Sequence, residues 1–335
     1  MRLIAVIALF CASFFLPEGT GNPVKKIEID GFAQGTTYHI TYYAGDSIVT
    51  RQQIDSILNK IDSSLSLYKP FSLISQFNNS VSGIIIDTHF INVFNASIET
   101  YKATHGLFDI TVGPLVTAWG FGAKKNTVMP DSAAIQQLLM CIGSDKLTLK
   151  NNFICKQKPC IKIDMNGIAQ GYSVDVLAAF LEKKGIKNYL AEVGGELRIK
   201  GRKPNNEKMR IGIESPSDNE MDAAIFEQVI ELDSGAITTS GNYRKYYESG
   251  SKKISHLIDP RTGYSVQNEM ISVTVYAKDA ITADAFDNAL MLMGRDSALH
   301  FTEHRKDIAA YIIYRQPDGT VADTASKIFY TLMLH

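Results

Sequence analysis

The sequence predicts an α+β fold, mainly antiparallel sheets with interspersed helices. Strands dominate, they fall in hairpin pairs around short turns, and several amphipathic helices lie between them. No internal repeat, low-complexity stretch or clean linker divides the 335 residues, so one compact, two-lobed unit is expected behind the N-terminal segment.

The elements follow in order. Lys25–Asp30 and Thr37–Tyr43 read as paired strands around Gly31–Gly35. Ile54, Leu58, Ile61 and Leu65 keep helical spacing. Ser63–Asn78 reads as a polar connection containing aromatics, and Phe90–Ala103 as a helix. His105–Gly122, rich in glycine and aromatic residues, is expected to form no regular element. Asp131 after Pro130 signals a short helix to Cys141. A hairpin with its loop at Lys156–Pro159 then leads an apolar strand into a turn at Asp164, and a helix continues to about Lys184. Tyr189–Val193 and Glu196–Lys200 are strands joined through Gly194-Gly195, followed by strands at Arg210–Glu214 and Phe226–Leu232. Ile271, Val273 and Val275 alternate with polar or smaller neighbours, as in a half-buried strand. A helix over Ala280–Met293 and strands near Ala309–Tyr314 and Lys327–Leu332 close the chain.

Composition narrows the function. Hydrophobic residues make up 45%, enough for a full core, and the formal net charge of −1 argues against a nucleic-acid binder. Met1-Arg2 followed by the apolar run Leu3–Leu16 reads as a signal peptide over residues 1–21, too short for a comfortable membrane span. Cys11 inside that run is a candidate for lipid attachment, and cleavage near Gly19–Gly21 is the alternative. Export permits disulfides, and Cys155 with Cys160, flanking the expected hairpin loop, is the pair the spacing suggests; Cys141 would remain a buried thiol.

Four constellations could carry chemistry. In Ile163–Asp175, a carboxylate at a strand end precedes an Asn166-Gly167 turn and a helix start, where bare backbone can meet a phosphate and its metal ion. Asp284 and Asn288 stand one helical turn apart, two oxygen ligands suited to Mg²⁺; Asp287 beside them is a further ligand or surface. His256 precedes the turn Asp259-Pro260-Arg261-Thr262-Gly263 and can act as a base near neutral pH. Gly106–Leu115 and Trp119–Gly122 mix aromatics with glycines, able to wall a planar ring. There is no Walker lysine loop, no GxGxxG after a strand, no HExxH and no GxSxG.

Together these residues resemble the ApbE family, the FAD:protein FMN transferases. The matching blocks run in order: Gly35-Thr36-Thr37-Tyr38, Ser66-Leu67-Tyr68 with Ser72 and Phe77-Asn78, Gly106–Leu115 with Trp119-Gly120, and Asp164–Asp175. Val193-Gly194-Gly195-Glu196, Thr239–Tyr243, Ser255–Gly263 and Thr282–Ala285 complete them. The resemblance implies a T-fold-like architecture over residues 25–335 with the flavin nucleotide in a cleft. It implies cleavage of the FAD pyrophosphate, transfer of FMN to a threonine hydroxyl of an acceptor flavoprotein, and release of AMP. Asp284 and Asn288 would hold Mg²⁺ with main-chain oxygen at Gly167 or Ala169, and His256 would take the hydroxyl proton. Gln34, Tyr68, Phe108, Asp109, Ile110, Asp164, Gln170 and Ile258 would contact the flavin nucleotide. Gln34 stands where the family usually has methionine, Asn288 where it has threonine, and Gln170 where it often has lysine. The implied location is the periplasmic side of the envelope, with a lipid anchor if Cys11 is modified. Two alternatives share the fold: an FAD pyrophosphatase giving FMN and AMP, and a non-catalytic envelope FAD-binding protein. Retention of His256, Asp284 and Asn288 argues against the second.

Overall fold

An eight-stranded antiparallel sheet organises the chain, and the helices that carry the candidate site pack on one of its faces. The computed structural model describes residues 23–122, 129–214, 226–242, 246–249 and 252–334. The segment 1–21, expected to be a signal peptide, lies outside them.

β1 (Lys25–Ala33) and β2 (Thr36–Ala44) form a hairpin whose tip, Gln34-Gly35, is left-handed. α1 (Arg51–Leu65) opens with a capping box between Thr50 and Gln53. α2 (Leu73–Asn79), β3 (Gly83–Ile85) and α3 (Thr88–Ala103) follow, with Ser72 and Asp87 capping the two helices. A 3-10 turn at Ile110–Val112 leads into α4 (Gly113–Ala118), and Asp131 caps α5 (Ser132–Leu139). β4 (Leu147–Lys150) and β5 (Phe153–Lys156) join β3 in a small separate sheet. Then come α6 (Ala169–Lys183), β6 (Tyr189–Val193), β7 (Glu196–Lys200), β8 (Met209–Glu214), β9 (Phe226–Leu232) and β10 (Ser234–Gly241). β11 (Tyr246–Ser249) and β12 (Lys252–Ser255) pair as a short hairpin. β13 (Met270–Ala277), α7 (Ala280–Met293), α8 (Arg295–Glu303), β14 (Ile308–Arg315), β15 (Val321–Ala325) and α9 (Lys327–Tyr330) complete the chain.

The main sheet runs β1-β2-β6-β7-β10-β13-β14-β15. On one face, α1, α3 and α6 cover β2 and β6, where Tyr38, Ile40, Leu58, Phe90 and Leu177 meet, while α7 and α8 cover β13 and β14 through Val273, Phe286, Leu290 and Ala310. On the other face, the β8–β9 hairpin and α9 close a second core of Ile199, Ile211, Ile230, Ile237, Tyr311 and Phe329.

The expected order of elements holds with the following corrections. The Ser63–Asn78 connection contains α2, and the 105–122 stretch contains α4, because Ser72 and the Gly113-Pro114 start nucleate short helices. The hairpin turn lies at Asn151-Asn152 between β4 and β5, not at Lys156–Pro159. The segment entering Asp164 belongs to no ladder. β13 is buried on both faces rather than half-buried, as its central place in the sheet requires, and α8 forms where no element is expected. The chain leaves β14's edge at Ser326, which exchanges hydrogen bonds with Ala310, so Lys327–Tyr330 is a helical turn burying Phe329 rather than a strand.

The disulfide also differs. Cys141 pairs with Cys160 across a Cα–Cα distance of 5.6 Å. Cys155 is the free thiol: it lies within β5 opposite Thr148, whose carbonyl accepts its S–H at 3.3 Å, so Cys160 beyond the strand end is not its cross-strand neighbour.

Candidate active site

Two helices meet at their N-termini and cap each other. α6 has no side-chain cap of its own, and the N–H of Gly171 in its first turn donates to Asp284 Oδ2 of α7 at 2.8 Å. In return Asp175 of α6 accepts from the N–H groups of Ala280 and Ile281 at 3.0 and 2.9 Å. Glycine is required at 171: a Cβ there would fall 2.3 Å from the Ala280 carbonyl oxygen and 2.7 Å from Asp284 Cβ. This contact fixes Asp284 beside the Asn166-Gly167 turn. One turn along α7, Asn288 Nδ2 donates to the Gly167 carbonyl at 3.4 Å, to the Asp284 carbonyl at 3.1 Å and to Asp287 Oδ1 at 2.8 Å. Ser240 of β10 donates to Asn288 Oδ1.

The structure brings Gly167, Asp284 and Asn288 together, and two further buried carboxylates lie within electrostatic reach of Asp284. Asp287, adjacent in sequence and ambiguous there, is buried. Glu196 opens β7, is 9% exposed, and its Oε2 has no hydrogen-bond partner. Burial pushes Asp284 up to about 7 against the opposing bond from Gly171. Burial and then the Asp284 charge hold Asp287 well above the carboxylate range, and burial followed by the charges of Asp284 and Asp287 does the same to Glu196. Among the described residues, no three acidic, histidine or cysteine side chains converge closely enough to hold a metal ion. The Asp284 carboxylate, the Asn288 carboxamide and the Gly167 carbonyl are hard oxygen donors of the type a divalent cation takes. A carboxamide turned over presents Oδ1 where Nδ2 now stands. Of the two main-chain oxygens proposed, Ala169's accepts from Ser173 Oγ within α6, which leaves Gly167's as the better placed.

Around the start of α6 stand the residues expected to meet the nucleotide. Gln34 Nε2 donates to Ser173 Oγ at 2.9 Å, bringing the β1–β2 tip to α6. Gln170 lies against the β6–β7 turn: a Cβ on Gly194, whose φ is +65°, would come within 2.3 Å of Gln170 Nε2 and 2.9 Å of Thr36 Cγ2. Asp164 is raised by burial against the bond that its Oδ1 accepts from the Asn166 N–H at 2.9 Å, and its own N–H donates to the Ile110 carbonyl at 2.7 Å.

The 108–110 stretch differs from expectation. Phe108 and Ile110 are core side chains. The Asp109 carboxylate accepts four hydrogen bonds, two from Thr111 and two from Ser144, at 2.6–3.2 Å. These side chains brace the loop from inside, so only its main chain is left to meet a ligand. Tyr68, by contrast, is 70% exposed on a loop closed by Ser72 Oγ donating to the Ser66 carbonyl.

His256 and Ile258 form a second cluster. The His256 ring meets Phe121 edge-on at 6.2 Å, and Ile258 packs with Leu115, Trp119 and Ile135. Asp259 fixes the following turn as expected, accepting from Arg261 N–H at 2.8 Å and pairing with its guanidinium. Trp119 Nε1 donates to the Gly263 carbonyl at 2.7 Å, pinning that turn to α4.

Sequence reasoning missed Glu196 as a site residue, though it stood in the Gly194-Gly195-Glu196 block. Only the adjacency of β7, β10 and α7 makes it one.

Comparisons with known proteins identify the family of the chain. The ApbE family model matches residues 34–312. An FAD:protein FMN transferase of Haemophilus influenzae is 36% identical over 315 residues, spanning 90% of both chains. That of Vibrio cholerae serotype O1 is 35% identical over 315 residues, spanning 92% of this chain and 93% of its own. The solved flavin transferase ApbE from Vibrio cholerae superposes with a TM-score of 0.83 at 34% identity, covering 92% of this chain and all of that one.

Proposed function

The chain belongs to the ApbE family, and from that premise we propose how its residues divide the work of flavin transfer. The protein is an FAD:protein FMN transferase: it moves FMN from FAD to an acceptor protein. The observation that carries the residue assignment is the junction of Asp284, Asn288 and the Gly167 carbonyl at the paired starts of α6 and α7.

We assign Asp284, Asn288 and the Gly167 carbonyl to Mg²⁺, which when bound supplies positive charge against the FAD pyrophosphate and the departing phosphate. Gln170, in the first turn of α6, holds the phosphates. Gln34 and the exposed ring of Tyr68 face the flavin, Asp164 the nucleotide, and Ile258 supports His256. The acceptor is a threonine hydroxyl. His256 removes its proton as the oxygen bonds to the FMN phosphorus. The bond from that phosphorus to the bridging oxygen breaks, and its electron pair leaves with AMP. Export to the periplasmic side is supported by the leader-like residues 1–21 and by the Cys141–Cys160 disulfide, with Cys11 as the anchor if lipidated. Among the described residues, no helix is long and apolar enough to cross a membrane.

The test is to incubate the mature chain with FAD, Mg²⁺ and a peptide carrying a threonine acceptor signal, following peptide mass and AMP. The expected result is a gain of one FMN on the peptide, reduced about 10²–10⁴-fold by His256→Ala. AMP and free FMN without labelled peptide would establish the pyrophosphatase instead. FAD binding without turnover on any peptide would leave a carrier.

A further inference from the structure

We propose that Asn78 is a positioning residue for the nucleotide and cation end of the site, acting through the 161–167 segment. The inference rests on the transfer reading above. Ile161, Ile163 and Met165 are buried while Lys162 is exposed, the alternation of a strand, yet the segment has no ladder partner. Buried backbone groups still require partners. Here they are supplied one at a time by other parts of the chain. Lys156 Nζ, inside the core beside the Phe77 ring, donates to the Ile161 carbonyl at 3.0 Å and to the Phe77 carbonyl at 3.1 Å. Asn78 Oδ1 accepts the Ile163 N–H at 2.7 Å, and its Nδ2 donates to the Ile163 carbonyl at 2.9 Å. The Asp164 N–H goes to the Ile110 carbonyl.

The Asn78 contact is of a different kind from the others. It satisfies donor and acceptor of one residue together, as a neighbouring strand would. A carboxamide on α2, 85 residues away, thereby fixes the register of the segment. A one-residue slip would exchange its inward and outward side chains and turn Asp164 over. Asp164 is the next residue, and the Gly167 carbonyl that meets Asn288 stands three beyond it. The Asp164 carboxylate and the Gly167 carbonyl therefore share one support, and loosening it should weaken nucleotide and cation together.

The experiment measures FAD affinity by flavin-fluorescence titration and the Mg²⁺ half-saturation of that binding. It compares the parent chain with Asn78→Ala, Asn78→Asp and Ile230→Val, at a temperature where circular dichroism shows each folded. Ile230 lies in the core on the opposite face and controls for lost stability. Asn78→Asp keeps the shape and the acceptor for the Ile163 N–H but sets an oxygen against the Ile163 carbonyl, so it decides the matter if Asn78→Ala does not fold. The expected result is that both the FAD dissociation constant and the Mg²⁺ half-saturation rise about tenfold or more in the Asn78 variants. They stay at the parent value in Ile230→Val, and the limb of the pH–rate profile set by His256 does not move. Values within about twofold of the parent in a folded Asn78 variant would overturn the proposal. A parent chain that fails to bind FAD would instead overturn the transfer reading, and the positioning role with it.

Discussion

The two faces of β10 are built on opposite principles. Ile237 points into the apolar core closed by β8, β9 and α9, where every neighbour gains from leaving water. Thr238 and Ser240, on the other face, are buried toward α7, where Asp284, Asp287 and Glu196 are also removed from water. Burial on the first face stabilises the fold. On the second it costs free energy in the bare chain, because buried like charges repel and lack counter-ions. The difference shows where the molecule trades stability for a site. One face of the sheet anchors the fold, and the other carries buried carboxylates.

The strongest way to break this comparison is Asp284→Asn. Flavin transfer should fall by at least about 10³-fold while the thermal midpoint of the cation-free chain rises, since an amide keeps the Gly171 contact without the charge. A midpoint that drops instead would mean the carboxylate stabilises the fold. Phe329→Ala on the opposite face should do the reverse. It should cost about 3–5 kcal/mol of stability, measured by urea unfolding, with little change in activity per folded molecule. Cys141→Ser opens a closed loop of sequence separation 19 and should cost about 3 kcal/mol. Unchanged unfolding under reductant would argue that the bridge is not formed.

The pH dependence sharpens the same contrast. The three carboxylates hold protons in the folded chain at pH values where the unfolded chain has lost them. Their contribution to stability without divalent cation should therefore be full below about pH 4, the ordinary carboxylate value. It should fall as pH rises, with the Asp284 contribution lost through about 7. Under the assignment proposed above Mg²⁺ takes the ionised form, so adding it should shrink the loss. Thermal unfolding between pH 4.5 and 8, in EDTA and in Mg²⁺, measures both effects; overlapping curves would mean that the cluster does not take the ion. The smallest effect expected is from Thr50→Ala, which removes one arm of the α1 capping box and should cost about 1 kcal/mol with activity intact.

Local signals were legible in the sequence. The β6–β7 hairpin shows in the alternation of Tyr189–Val193 and Glu196–Lys200 around two glycines, and the structure places its strands there. Asp284 and Asn288 could be put on one face of a helix by spacing alone, and Asn288 does reach the Gly167 turn. What required the fold were contacts between distant segments. Glu196 joins the carboxylates only because β7 lies beside β10 under α7. The 161–165 run looked like a strand because its side chains alternate; that its partners are Asn78 and Lys156 rather than a strand leaves no trace in its own residues. The family resemblance gives Asp109 as a ligand contact; its four hydrogen bonds to Thr111 and Ser144, which brace the loop from inside, could not be read from its own residues.

Trp119 is the single tryptophan of the chain. Its indole is tied to the Gly263 carbonyl and its ring lies 6.2 Å from that of Tyr264. All intrinsic indole emission thus originates at the turn that follows His256. The isoalloxazine ring absorbs where indole emits, so an arriving flavin would dim this one lamp by resonance energy transfer. Stopped-flow quenching could then time flavin arrival and departure on the native chain, with no dye attached.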